Sequence, residues 1–160
     1  MNRLAPLMIL ALLLCACGGG LPPEAQSTAA SAASALVSHD KAAIAKLIVA
    51  SQREGALGLD ASYPIETELK KNELTLSDVL DLQFFTDITA AEVAEDGAAL
   101  EDESNAKVML TLDYGESTFV VKSFLLKKEG DAWLIDMKAT LELWHRLDGA
   151  DALSVLKMQK

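Results

Sequence analysis

Cysteine is nearly missing from this chain of 160 residues, and the two it has stand together at positions 15 and 17. With no thiol beyond them, the body of the chain can form no disulfide and offers no cysteine-based zinc or redox site. Histidine is as rare: His39 and His145 lie far apart, without the close spacing of a ligand pair. No metal and no cofactor is expected. Basic residues are outnumbered, 14 against 24, which gives a net charge of −10. A surface of that sign repels phosphate backbones and anionic lipid, and so argues against nucleic acid as a partner. Nucleophile elbow, Gly-rich phosphate loop and two-His metal helix are all absent from the sequence. Aromatic residues make up only 5% of the chain. Without disulfides, most of Phe84, Phe85, Phe119, Phe124, Trp133 and Trp144 are needed in the core.

What the chain does have is a start that reads as an export signal. Met1-Asn2-Arg3 carries one positive charge, and Leu4 to Leu14 is apolar and uncharged. That run suits a signal sequence and falls well short of the ~20 residues that span a bilayer. It ends in Leu14-Cys15-Ala16-Cys17, which resembles a bacterial lipobox: Leu, a small residue, Ala or Gly, then Cys. The resemblance implies cleavage after Ala16 and acylation of Cys17, with Cys15 leaving in the signal. Cys15 itself fits poorly as acceptor, because Leu14 would fill the place that needs Ala or Gly. Buried thiols or a Cys-x-Cys metal half-site are the alternatives, and no further Cys or suitably spaced His supports them. Stable anchoring by acyl chains needs more than one of them, and bacterial lipoproteins are similar in carrying a diacylglycerol on sulfur. Gly18 follows the cysteine in place of the Asp that retains such proteins at the inner membrane. The expected location is the cell envelope, at the outer membrane facing the periplasm if the host has two.

Three segments follow: signal peptide 1–16, lipidated tether 17–26, and one domain, 27–160. The 144 residues left after cleavage keep all 24 acidic residues and 13 of the 14 basic ones, a net charge of −11. That length is enough to bury a sizeable core. Residues 24–51 are alanine-rich with helical spacing of Leu36, Val37, Ile44, Leu47 and Ile48; Ser27 is the expected N-cap, and His39-Asp40 a break where Asp40 caps a second helix. Residues 55–74 read as irregular, with Tyr63-Pro64 extended. Thr75 or Ser77 caps a brief helix in "TLSDVLDL". Phe85 to Val93 is expected as a first strand and 95–105 as an acidic loop. Val108, Leu110, Leu112 and Tyr114 then alternate with polar residues. Turns at Gly115-Glu116-Ser117 and Glu129-Gly130-Asp131 lead into "TFVVKSFLLKK" and "AWLIDMKATL", where Trp133, Ile135 and Met137 share a face. The tail, 148–160, is expected as a short helix with Leu153 and Leu156 on one side.

The expected fold class is α+β: N-terminal helices packed on a curved antiparallel sheet, a meander of three to four strands. The helix broken at His39-Asp40, the late hairpin and the ending "KKEGDAWLID" resemble small bacterial lipoproteins of the nuclear transport factor 2-like, cone-shaped superfamily. The resemblance implies a sheet wrapping a long helix, often around a pocket, and its members include isomerases, dehydratases and non-catalytic binding domains. Fold alone therefore says little of function.

Enzymes on that fold place Asp, His or Tyr inside the cone. Tyr63, Tyr114, Asp136 and His145 are available, but Asp136 alternates away from Trp133 and Ile135 toward solvent, and none is assigned a catalytic role. Glu92, Glu95, Asp96, Glu101, Asp102 and Glu103 lack the alternating oxygens and Gly of a calcium loop. Tyr114, Phe119, Trp133 and Ile135 are the residues expected to line a pocket or the core. The expected function is that of a non-enzymatic binding module held at the membrane by its lipid, taking a protein or a small apolar ligand. A small isomerase or hydrolase using a cone pocket is the alternative.

Overall fold

The first helix starts at a proline. In the structure, a computed structural model that describes residues 20–59 and 73–155, α1 spans Pro23–Val37. Proline pre-sets helical φ, and the N–H it lacks would have had no helical partner, so it opens a helix well. Ser27, the expected cap, therefore lies inside the second turn. Leu21 is buried as well, so the packed domain begins before residue 27. The buried stripe of α1 is mostly alanine (Ala25, Ala29, Ala32, Ala33), small enough to bring the helix close to the sheet. Thr28 Oγ1 crosses that short gap and donates to the carbonyl of Trp133 at 2.7 Å.

The break falls where the sequence placed it. His39 turns the chain with a φ of 53°, and Asp40 accepts from the Ala43 amide at 2.9 Å to start α2, Lys41–Lys46. Thr75 caps α3, Leu76–Leu80, in a reciprocal capping box with Asp78. The hydrogen bonds from Thr75 hold the Asp78 carboxyl below its ordinary pKa. The expected strand over 85–93 is corrected: Gln83–Thr86 forms a short helix, α4, with Phe84 and Phe85 buried. Pairing with the neighbouring strand begins only at Ala90.

Four strands form one antiparallel sheet in the order β1-β2-β3-β4: Ala90–Leu100, Asn105–Asp113, Phe119–Glu129 and Ala132–Ile135. The acidic stretch expected as a loop is largely strand, and only residues 101–104 turn the chain. A bulge hid its period. Val93 pairs with Leu110 and Ala98 with Val108, so five steps along β1 match two along β2. Gly97 permits this, since a Cβ there would come 2.7 Å from Met109 Cβ. One face of the sheet is buried by Ala106, Val108, Leu110, Leu112, Phe124, Leu126, Trp133 and Ile135. Helix α1 lies across β1, β2 and β4.

The last expected strand is also shorter than the sequence indicated. It stops at Ile135, and Asp136 caps a twelve-residue helix, α5, Met137–Asp148, by accepting from the Ala139 amide at 2.9 Å. Met137 points inward, but from a helix. Segment 47–49 closes the outer edge of β4: the Ile135 amide donates to Leu47 O and the Val49 amide to Ile135 O. After α5 the chain makes one 3-10 turn, Gly149–Asp151, in place of the expected tail helix; Leu156 lies outside the described residues.

Candidate functional site

Where β4 ends, β3 continues, and α5 takes over its exposed edge through side chains one turn apart. The Asp136 amide donates to Leu125 O at 2.9 Å, and the Leu125 amide donates to Thr140 Oγ1 at 3.0 Å. Trp144 Nε1 donates to Ser123 O at 2.6 Å. One turn on, Asp148 receives Lys122 Nζ at 2.6 Å. Residues 136, 140, 144 and 148 share one helical face by their fourfold spacing. That face substitutes for a fifth strand as far as Ser123.

Lys122 points into the molecule with Phe124 and Leu126, and its side chain is 9% exposed. Its ammonium donates to Asp148 and to Ala152 O at 2.9 Å, and sits 5.4 Å from the Trp144 ring and 5.9 Å from that of Phe84. A buried charge persists only when paired and hydrogen-bonded, as this one is. The arrangement ties β3 to the segment following α5. Around it, Trp144 meets Phe124 edge-on at 5.1 Å and Phe84 at 5.5 Å. Tyr114 lies beside Phe84 and donates its hydroxyl to Phe84 O at 2.9 Å. Burial first, and the charge of Asp87 second, raise the Tyr114 phenol above its ordinary pKa, so it stays a neutral donor.

Two open grooves flank this cluster. One, of about 500 Å³, lies between Gln83, Asp87, Tyr114, Glu116 and Leu153. The other, of about 470 Å³, runs between the start of β3 (Phe119, Val121) and Asp148, Asp151 and Ser154. The turn that separates them is strained. Thr118 donates to Gly115 O at 2.8 Å, and both central residues, Glu116 and Ser117, have positive φ, 51° and 64°. Such a turn ordinarily carries Asn and Gly. Among the described residues, Trp144, Phe84, Phe124, Ile48, Leu74 and Met137 are all fully buried.

Of the residues expected at a pocket or core, Trp133 (4% exposed) and Ile135 belong to the core, and Tyr114 sits half-buried on a groove wall. Phe119 lies outside the core, on the wall of the other groove: it faces outward and is 40% exposed, because its side chain shares the face of Val121 and not that of Lys122. Asp136 is half-buried, holding the Ala139 amide and Gln52 Nε2. It is thus a helix cap and not a freely solvated strand residue. His145 is half-buried in the last turn of α5, its Nδ1 3.3 Å from Gly149 O. Cys17 and Tyr63 lie outside the described residues.

Lys122, Thr140 and Asp148 escaped the sequence reading. The signal for Lys122 was its phase with Phe124 and Leu126, and for the others the fourfold spacing from Asp136. Among the described residues no cluster of His, Cys, Asp and Glu is arranged to hold a metal, and no helix is long and apolar enough to cross a membrane. Comparison with protein-family models, curated proteins and solved structures gives no match to this chain.

Proposed function

We propose that this chain is a lipid-anchored protein of the bacterial envelope whose domain binds a partner without catalysis. The observation that carries the binding reading is the commitment of the polar groups at the grooves. Lys122 is held by Asp148 and Ala152 O, and Tyr114 by Phe84 O. A catalytic pocket needs convergent groups free to meet a substrate. Here those groups hold the fold, while apolar side chains stand exposed beside them. Phe119 and Val121, exposed together along one groove, support an interaction surface, since a soluble surface keeps large apolar residues scattered.

A cone-shaped domain like that of nuclear transport factor 2 is the finer fold reading we favour. It is supported by a long helix lying on an antiparallel sheet, the break at His39-Asp40 and the bulged first strand.

The anchor rests on Leu14-Cys15-Ala16-Cys17. In cells fed labelled fatty acid, Cys17→Ser is expected to lose the label and leave the membrane fraction, while Cys15→Ser keeps both. Label retained by Cys17→Ser would overturn the anchor.

A further inference from the structure

In β3, even-numbered residues turn their main-chain groups toward β2. This is set by Tyr114 N bonding to Thr118 O at one end (2.9 Å) and Lys128 N to Ser104 O at the other (2.8 Å). Odd-numbered residues therefore turn theirs to the opposite edge. There Lys127 and Glu129 meet β4, and Leu125 and Ser123 meet α5. Farther toward the turn the cover stops, since Asp148 reaches for Lys122 Nζ and not for the backbone. Among the described residues nothing pairs with the main chain of Val121 or Phe119 on this side.

The other edges are guarded. That of β4 is closed by segment 47–49, and β1 is bulged at 94–97 and lined with acids. Bulges and charges blunt an edge against foreign strands. The start of β3 instead presents Phe119 and Val121, 40% and 48% exposed, along the 470 Å³ groove.

We infer that this free edge, residues 119–121, receives an extended segment of a partner protein by strand addition, the segment alternating basic with apolar residues. The inference deepens the binding reading above and rests on it. Main-chain pairing at an open edge gives affinity, and alternate side chains give specificity. Charge selects the occupant. Asp151 lines the groove beside this edge, Lys122 points inward and is neutralised by Asp148, and the chain as a whole carries a net charge of −10. A second copy would bring like net charge against like, whereas a basic strand would answer it.

The start of α1 lies beside Asp131 and Ala132, at the end of β3 opposite the Gly115–Thr118 turn. Eleven residues of strand separate the two ends, roughly 35 Å.

The probe is a capped, fluorescently labelled hexapeptide of alternating lysine and valine, titrated by anisotropy against full-length protein in detergent. Saturable binding is expected, falling at least tenfold with Val121→Pro. That change removes an outward N–H and leaves the ladder to β2 intact. A glutamate–valine hexapeptide is expected not to bind. Methylating the amides of one alternate set of peptide residues should abolish binding, and methylating the other set should not. This readout needs no variant, and decides the matter should Val121→Pro fail to fold by circular dichroism. Unchanged binding by folded Val121→Pro, equal binding of the acidic peptide, or indifference to both methylated sets overturns the proposal. So does the absence of peptide binding, including where sedimentation shows a dimer that Val121→Pro abolishes, which would make the edge a self-pairing one. Fatty-acid labelling tests the anchor separately, so the two readings fail by different results.

Discussion

Only two residues lie between Trp133 and Asp136, yet their side chains do unrelated work. The Trp133 indole is buried under α1, and its carbonyl holds Thr28. Asp136 holds the Ala139 amide and Gln52. Trp133→Ala removes a large buried ring and is expected to cost ~3–5 kcal/mol, much of the ~5–15 that a domain of this kind has. Asp136→Ala removes a cap and should cost ~1–2 kcal/mol. Urea unfolding of both variants measures the difference, and a near-neutral Trp133→Ala would remove that ring from the core. From sequence, the alternation made Trp133 and Ile135 legible as inward residues. The capping role of Asp136 was not, because an aspartate after a strand reads equally as an exposed strand residue until a helix follows it.

At the scale of elements, the β2–β3 hairpin is held by packing against its turn's own preference. Each L-residue forced to positive φ costs ~1–2 kcal/mol, and Glu116 and Ser117 are adjacent and both positive. Ser117→Gly should relieve more in the folded state than it adds in chain entropy to the unfolded one, a net gain of ~0.5–1 kcal/mol. Thermal unfolding should show a higher midpoint; a lower one would mean that the Ser117 side chain contributes more than its strain. The register itself is fixed by the unbroken pairing from Asn105–Lys127 to Asp113–Phe119, which places Val108, Leu110, Leu112, Phe124 and Leu126 inside. Elements with an unbroken period, β2 and β3, were readable in advance. Strand β1 and helix α5 were not: a bulge scrambled the first, and the second continued the apolar phase of β4 through Met137.

Across the whole molecule, charge is the property with the longest reach. A net −10 gives no counterion-release term for binding phosphates. Purified protein is expected to leave duplex DNA unshifted in a gel at physiological salt, and a salt-dependent shift would contradict the charge argument. On the strand-addition proposal, the same acidity, with Asp151 on the groove wall beside an uncovered strand, would favour a basic partner.

The sequence by itself determined the composition of the interior, the breaks and caps at Asp40 and Thr75, the hairpin turns and the sign of the surface charge. These depend on neighbours within a few positions, where periodicity and turn chemistry act. Tertiary structure decided what those elements meet. It set α5 along the edge of β3, placed Lys122 between Trp144 and Asp148, and left Val121 and Phe119 uncovered. Contacts between residues so far apart in the chain leave no local period to read. They arise because a strand edge must be satisfied by whichever groups the packed core brings beside it.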